Sequence, residues 1–358
     1  MRMAPWVALA SVVFVLGGCC KDKVGDLVGS GDKKGLNHPD NDPAVVSAAK
    51  EVLTCEWQKE RFKTDCEALQ KWKKAEISKK GAADKTLINF LEDEDTKVQW
   101  IGAEALSRDG SAYKTDAVLA KKVVDALDKA TEGYLVGLLS GCVGRSDLKA
   151  TGLGERVMKM MEEHGNVAVR EGLAGDTLFS NRDYPGLYDL LVKIARSNQD
   201  PKVRKRAAAA FWTGTPAGKQ VESCKLWLEL ADDADDDVAG TSAYHCAFSS
   251  SAGECTGQWD GLLSLIERKA KAGQVKTSTM AGALAYLYGQ RKANDAIKKR
   301  TIAVARAIVA NPANKDLARS RALEFIGKDD PAGKAFAKSY ENDPSIHVKV
   351  QAKAITSK

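Results

Sequence analysis

The 358-residue sequence has little proline and no apolar run long enough to span a membrane. Nine prolines are about half the usual share of roughly 5%. The apolar run over residues 4–16 is shorter than the roughly 20 residues needed to cross a bilayer. Because 28% of the residues are charged and 44% are apolar, wholesale disorder and a multi-span membrane protein are excluded. Scarce helix breakers, with alanine in most segments, indicate helices.

Motifs for catalysis and cofactor binding are also missing. The sequence has no G-x-S-x-G elbow, H-E-x-x-H pair, G-x-G-x-x-G turn or C-x-x-C-H haem motif. Residues 214–219 resemble a phosphate-binding loop but have one intervening residue too few, and Gln220 follows. The acidic run 232–237 would put Val238 where an EF-hand requires glycine. We therefore predict that the chain is not an enzyme and holds neither a cofactor nor a metal.

Residues 1–18 have the order of a secretory signal peptide. Arg2 gives a positive start, the apolar run follows, and the tripeptide L-G-G precedes Cys19. An aliphatic and two small residues before a cysteine resemble the lipobox of bacterial lipoproteins; a chance cysteine is the alternative. The resemblance implies a diacylglycerylated Cys19, cleavage just before it and acylation of the new amine. Two or more acyl chains would anchor the chain stably to the membrane.

The segment after the predicted cleavage site has no secondary-structure signal. Residues 21–41 are polar and contain glycine, without a helical or strand period. We expect residues 19–41 to form a lipid-anchored flexible tether with a mean reach of roughly 25 Å. Because Cys20 is not aspartate, the inner-membrane retention rule of enterobacterial lipoproteins does not apply. This favours the outer membrane.

From about residue 42 the sequence repeats itself. Several segments open with an acidic residue or Asn, place an aliphatic residue three positions later, and continue as an apolar helix. These aliphatic residues, spaced 37, 34, 34 and 35 positions apart, are Val98, Leu135, Val169, Val203 and Val238. Weaker units near Met280 and Leu317 stretch the period to about 40, and Asp343 opens the last unit. Apolar residues recur every three and four positions, which predicts paired helices and no strands.

The opening residue of each unit is expected to cap a second helix, with Pro201 or Pro344 in its first position. First helices are expected at residues 187–195, 222–231 and 302–309. The sequence D-P-K-V-R at residues 200–204, followed by A-A-A-A-F-W, resembles the second helix of a HEAT repeat. Residues 166–173 and 343–352 are similar. Another helical solenoid and a non-repetitive helical domain are the alternatives.

The HEAT resemblance implies an all-α fold, a superhelical solenoid of about eight or nine helix pairs over residues 42–358. In such families the concave face, lined by the second helices, commonly binds proteins. Because one unit cannot bury its own apolar stripe, each unit stacks on the next. We expect Arg204 to form a bond between units.

The cysteines beyond Cys19 and Cys20 number six, namely Cys55, Cys66, Cys142, Cys224, Cys246 and Cys255. An even number in an exported chain predicts disulfides, with fifteen possible connectivities. The local pairs would be Cys55–Cys66, across the ends of a helical hairpin, and Cys246–Cys255, which leaves Cys142 with Cys224. A metal site that includes His245 and the last three cysteines is the alternative, but no C-x-x-C spacing supports it.

Charge is unevenly distributed along the chain. Residues 256–358 contain 19 Lys and Arg against 9 Asp and Glu, whereas residues 21–255 contain 34 against 39. A basic end could meet an acidic protein, anionic lipid or cell-wall polymer, and a solvated helical face is the alternative. The candidate partner-binding residues are Arg170, Arg204, Lys298, Lys299, Arg300, Arg319 and Arg321. We expect no nucleic-acid partner, because the charge balance is too mild and the compartment unsuitable.

The aromatic residues fall at positions compatible with a helical core, with an exposed binding ridge as the alternative. They are Tyr286, Tyr288, Trp57, Trp72, Trp100, Trp212, Trp227 and Trp259. Taken together, the patterns predict a non-enzymatic, lipid-anchored repeat protein of the bacterial envelope that acts as a protein-binding or assembly scaffold. An enzyme or enzyme accessory of envelope polymers and a purely structural component of an envelope complex are the alternatives.

Overall fold

The structure, a computed structural model, describes residues 34–75, 83–108, 112–248 and 255–357. These residues belong to one compact unit that begins at Lys34. The predicted signal peptide, Cys19, Cys20 and the tether as far as residue 33 lie outside the described residues. Within the described ranges, no helix is long and apolar enough to cross a membrane.

Helices account for nearly all the regular structure in these ranges. They are α1 (Pro43–Leu53), α2 (Glu67–Lys74), α3 (Ala83–Phe90), α4 (Thr96–Arg108), α5 (Ala117–Lys129), α6 (Gly133–Arg145), α7 (Leu148–Thr151), α8 (Gly154–Glu163), α9 (Val167–Ser180), α10 (Leu187–Ser197), α11 (Pro201–Gly214), α12 (Gln220–Leu230), α13 (Asp236–Ala247), α14 (Trp259–Lys271), α15 (Ser278–Gly289), α16 (Asp295–Ala310), α17 (Asp316–Asp329), α18 (Gly333–Lys338) and α19 (Ile346–Thr356). Two short strands, β1 (Trp57–Gln58) and β2 (Arg61–Phe62), pair antiparallel.

The helices form a stacked array of pairs. Helices α4, α6, α9, α11, α13, α15, α17 and α19, here called the B helices, each contact the next member of this series. The helices that precede them, α3, α5, α8, α10, α12, α14, α16 and α18, are called the A helices. All but α14 pack against the B helix that follows; α14 packs mainly against α16. The prediction of an all-α, HEAT-like array of helix pairs is therefore confirmed.

Polar side chains cap the N-termini of several B helices, much as predicted. In four of them, a side-chain oxygen of the preceding residue accepts a hydrogen bond from a first-turn backbone N–H at 2.9 to 3.0 Å. These capping residues are Asp95, Asn166, Asp200 and Asp235. Pro201 is the first residue of α11, where no N–H is needed. Glu132 makes no such bond before α6; instead Glu60 of the β-hairpin accepts from the backbone N–H of Tyr134 at 3.0 Å.

The last unit departs from the predicted cap. Ser345, not Asp343, caps α19, so Pro344 lies before the helix and not in its first position. Asp343 stands two residues before the cap, as Asp233 stands before Asp235, and each accepts from the backbone N–H of the capping residue. Like Asp233, Asp343 also binds an arginine of the preceding B helix, here Arg319, through two hydrogen bonds of 3.2 and 2.6 Å. Both side chains are almost fully buried. Burial opposes ionisation, but the hydrogen bonds from Arg319 and from Ser345 N–H hold the pKa of Asp343 below its ordinary value.

Residues at the N-terminal edge of the unit are tied to α3 and the loop after it. The backbone N–H of Leu36 donates to the Asp93 carboxylate at 2.8 Å. Asn89 donates to the side-chain oxygen of Asn41 at 3.0 Å. The eight residues from Lys34 to Asn41, assigned to the tether on sequence grounds, are thus fixed to the array by side-chain hydrogen bonds.

Two disulfides are present among the described residues, and one differs from the prediction. Cys55 bonds to Cys66 and joins the facing ends of α1 and α2, as expected, with the unpredicted β-hairpin between them. Cys224 bonds to Cys255, whereas Cys142 and Cys246 are free and buried. The predicted Cys246–Cys255 and Cys142–Cys224 pairs are therefore wrong. Cys246 lies inside α13, facing the core, and burial raises the pKa of both free thiols to about 12.

The Arg319–Asp343 pair yields a stability prediction. Breaking a buried ion pair leaves one uncompensated charge and costs about 3–5 kcal/mol. We therefore expect Asp343→Ala to lower the free energy of opening of α19 by about 3 kcal/mol, measured by amide hydrogen exchange in α17 and α19. Arg321→Ala, on the same helix as Arg319, is the control, because its ion pair with Glu324 is half exposed and worth about 0–1 kcal/mol. Equal exchange rates in the two variants would contradict the prediction.

Candidate functional site

A register running through the B helices defines a candidate binding surface. The buried apolar residue near the start of each B helix from α4 to α17 serves as its anchor: Val98, Leu135, Val169, Val203, Val238, Met280 and Ala318. In α17 the buried anchor is Ala318, because Leu317 is 52% exposed. The residues six and ten positions after each anchor form what we call the B-helix surface.

The surface has two rows of residues. The row six positions after the anchors contains Glu104, Gly141, Gly175, Ala209, Tyr244, Tyr286 and Glu324. The row ten positions after them contains Arg108, Arg145, Phe179, Thr213, Phe248, Gln290 and Lys328. Small residues occupy the first row in α6, α9 and α11, and tyrosines occupy it in α13 and α15. The surface therefore has a small-residue half and an aromatic half.

A groove of about 330 Å³ runs across the small-residue half. It is lined by Ser107, Gly137, Leu138, Gly141, Arg145, Gly175, Asp176, Phe179, Ser180 and Thr213. A side chain at Gly137 would meet open space, and one at Gly141 would meet only the end of Arg145 at 3.6 Å. By contrast, a side chain at Gly144 would collide with the backbone of Asp176. Close packing of α6 on α9 thus explains Gly144 but not Gly137 or Gly141.

The charged groups of this groove are partly paired. Arg206 donates to Asp176 at 3.0 Å. Burial raises the pKa of Asp176, and the nearby guanidinium groups of Arg206 and Arg145 oppose that rise. Arg145 is exposed and, among the described residues, makes no hydrogen bond or ion pair. Arg182 lies over the ring of Phe179, 5.9 Å from its centroid, and Phe179 itself is 58% exposed. This end of the surface carries excess positive charge.

Ring contacts connect the aromatic half across three B helices. Phe248 of the α13 C-terminus lies 5.7 Å from Trp212 of α11 and 5.4 Å from Tyr286 of α15, centroid to centroid. Tyr244 stacks on Phe248 at 5.9 Å and meets Tyr286 edge-on at 4.7 Å. Tyr286 is 36% exposed, and the other three are half-buried. The result is a continuous aromatic row on the outside of α11, α13 and α15.

His245 packs against the buried side of this aromatic row. Its ring lies 5.4 Å from both Trp212 and Trp227, and the side chain is only 5% exposed. Its Nδ1 atom is buried without a hydrogen-bond partner. Burial among these rings lowers the pKa of His245 to about 4. The imidazole is therefore neutral and acts as part of the aromatic packing.

A second groove of about 330 Å³ continues the surface between α15 and α17. Its walls include Tyr286 and Tyr288 on one side and Arg321, Glu324 and Lys328 on the other. Arg321 pairs with Glu324 within its own helix, at 2.5 Å. Tyr288 is fixed by a hydrogen bond of 3.1 Å from its hydroxyl to the Asp329 carbonyl. With Asp329 also in its wall, this groove has no excess of either charge.

Most of the predicted partner-binding residues serve the array itself. Arg204 bonds to Asp233 of the next unit at 2.8 and 3.0 Å, which confirms the expected link between units. Arg300 bonds to Asp260 and Ser264 of α14. Lys298 lies over the Tyr288 ring, and Lys299 is exposed. With Arg319 buried and Arg170 in a different groove beside Asp200, the seven residues do not come together. Only Arg321 borders the B-helix surface.

The structure also shows how the acidic run 232–237 is used. Asp232 pairs with Arg268 and Lys269, Asp233 with Arg204, and Asp235 caps α13. In the part of the chain that the structure describes, no three His, Cys, Asp or Glu side chains are placed to hold a metal ion. The disulfide between Cys224 and Cys255 removes two ligands of the alternative metal site.

Several residues of the surface were missed from the sequence. Of the tryptophans and tyrosines assigned to the core, Trp72, Trp100, Trp227 and Trp259 are buried, whereas Trp212 and Tyr286 belong to the row. Tyr244, Phe248 and Phe179 were not singled out. The sequence nevertheless contained a signal for these three residues, because Tyr244 and Phe248 stand six and ten positions after Val238, and Phe179 stands ten positions after Val169.

Comparisons with known proteins add little to this description. No protein-family model matches the chain, and no curated protein matches it. Among solved structures, it is similar to a designed armadillo repeat protein in complex with the peptide (KR)4, at 13% identity and a TM-score of 0.23. A second designed armadillo repeat protein is 17% identical, with a TM-score of 0.20. Both matches cover 76% of this chain and 97% of the other. Neither likeness bears on what the chain binds.

The buried histidine gives a prediction for pH dependence. Between its ordinary pKa of 6.5 and its folded value of about 4, the unfolded chain takes up a proton that the folded chain cannot. Stability is therefore lost as pH falls through this window, by up to about 3 kcal/mol. We expect His245→Phe to remove that part of the loss, measured by urea unfolding at several pH values between 7 and 4. A variant that loses as much stability as the parent would contradict this assignment.

Proposed function

We propose that the chain is a non-enzymatic scaffold of the bacterial envelope that binds a protein partner on its B-helix surface. One observation carries the proposal: grooves and aromatic rings continue across successive B helices from α4 to α17. A repetitive surface suits an extended partner, because each unit adds contacts without new architecture.

Two features of the surface lack an explanation within the fold. Glycine inside a helix costs about 1 kcal/mol relative to alanine, and packing does not explain Gly137 or Gly141. Phe179 leaves 58% of its surface in water at the rim of the same groove. Helix backbone without side chains lets a partner approach closely, and the exposed aromatic ring beside it offers the partner an apolar surface for packing.

The proposed location rests on the N-terminal sequence and on the cysteines. The L-G-G sequence before Cys19 resembles a lipobox, and we propose that Cys19 carries the lipid anchor, in the outer membrane. Two disulfides within the array are compatible with an oxidising compartment outside the cytoplasm. The segment after Cys19 would hold the array away from the bilayer.

Site-specific photo-crosslinking in intact cells tests the binding surface. A photoreactive phenylalanine analogue at Phe179 should capture a discrete partner. The matched control is Val221 on the A helix α12, which is equally exposed at 60%. We expect the adduct from position 179 to be at least about tenfold more abundant than from position 221. Equal capture at both positions, or none at position 179, would argue against the B-helix surface as the binding site.

The proposed lipid anchor at Cys19 is tested separately by lipid labelling. Radiolabelled palmitate should enter the wild-type chain and not a Cys19→Ser variant, because a serine hydroxyl is not a substrate for thioether formation. Globomycin should also cause the uncleaved precursor to accumulate. Labelling of the variant, or an unchanged precursor size with the inhibitor, would exclude Cys19 as the anchor. Cys20→Ser is the control and should label normally.

A further inference from the structure

We propose that the partner segment is an extended peptide with acidic residues at one end and apolar or aromatic residues at the other. The acidic end would lie over α6 and α9, and the apolar end over α11, α13 and α15. This inference rests on the proposed function and adds the chemistry of the partner. It follows from the different charge and shape of the two halves of the B-helix surface.

The small-residue half favours carboxylates. Among the described residues, Arg145 has no ion-pair partner, and the polar and cation–π interactions of Arg182 are with the carbonyl oxygen and the ring of Phe179. Asp176, the one acidic side chain in the groove wall, is already bound by Arg206. Two arginines are therefore available beside one groove. Arginine binds carboxylates through paired hydrogen bonds, and the excess charge would attract an acidic segment and repel a basic one.

The aromatic half favours apolar side chains. Trp212, Tyr244, Phe248 and Tyr286 present ring surface, and the groove beyond them has its charges balanced. Aromatic rings pack against proline, aliphatic and aromatic side chains at little cost in entropy, because they have few rotatable bonds. Charge complementarity is thus confined to one end of the surface, which gives a bound segment a direction.

The spacing of the helices sets the length of the segment. Packed helices lie about 8–10 Å apart, so the four steps from α6 to α15 span roughly 35 Å. An extended chain covers about 3.3 Å per residue, which corresponds to about eleven residues. Ser107, Ser180 and Thr213 lie in the groove wall and supply hydroxyl groups for the backbone of an extended peptide. In the partner peptide, the acidic residues should therefore lie about five residues before or after the first apolar or aromatic residue.

Fluorescence anisotropy with three synthetic peptides tests this inference on the full chain in detergent. The first carries four glutamates, a Gly/Ser spacer of about five residues, and alternating Phe and Pro. The second has lysine in place of glutamate, and the third has the glutamates without the aromatic block. We expect the first peptide to bind at least about tenfold more tightly than either of the others, and to weaken as salt rises.

Variants assign the two ends of the peptide. Arg145→Glu should weaken binding of the first peptide about tenfold and remove most of its salt dependence. The control is Arg268→Glu on the A helix α14, an exposed arginine that should leave affinity unchanged. Tyr286→Ala, at the apolar end, should weaken binding several-fold without changing the salt dependence. Phe179→Ala, at the rim of the basic groove, should also weaken binding several-fold. Because Arg145 and Phe179 are exposed, circular dichroism should show folded variants.

The outcomes separate the partner chemistry from the function. The proposal of an acidic partner is wrong if the lysine peptide binds as well as the glutamate peptide, or if neither binds. It is also wrong if Arg145→Glu has no effect. Selective crosslinking from position 179 would still support the scaffold. If crosslinking fails as well, the proposed function falls with it.

Discussion

Each B helix from α6 to α17 packs between two other B helices, and this one repeated contact holds the array together. A helix pair has more apolar surface than it can bury alone, so its stability comes from its neighbours. The anchors, from Val98 to Ala318, are buried in every unit, and each begins the same register along its helix. Because the anchors fix the rotation of every B helix, the sixth and tenth residues after them fall on a common surface.

The polar links between units follow from the same arrangement. Arg204 reaches Asp233, and Arg319 reaches Asp343, each across to the following unit. Other cations of the basic C-terminal part, such as Arg300, meet acidic side chains of an A helix. Much of the positive charge that is concentrated in residues 256–358 therefore forms ion pairs within the array. Arg145, from the less basic part of the chain, is left facing a groove.

The parts of the structure that could be predicted are those set by nearby residues. A cap such as Asp200 with Pro201 acts within one turn of helix, and the spacing of the anchors reflects a short repeating unit. The pairing of Cys224 with Cys255 depends instead on how α12 packs beside the start of α14, which sequence spacing does not encode. In the last unit, Asp343 and Ser345 were both possible caps by sequence, and the pairing of Asp343 with Arg319 is set by tertiary packing. The aromatic row was missed because exposed and core aromatics share the same helical spacing until a register is fixed.

The disulfide between Cys224 and Cys255 encloses α13 in a covalent loop. Solenoid units otherwise open one at a time, since each is held only by its neighbours. Tyr244 and Phe248 lie within that loop, at the centre of the aromatic row. If the outer units open, the bond still ties the start of α14 to α12, so Tyr244 and Phe248 stay on a covalently closed segment.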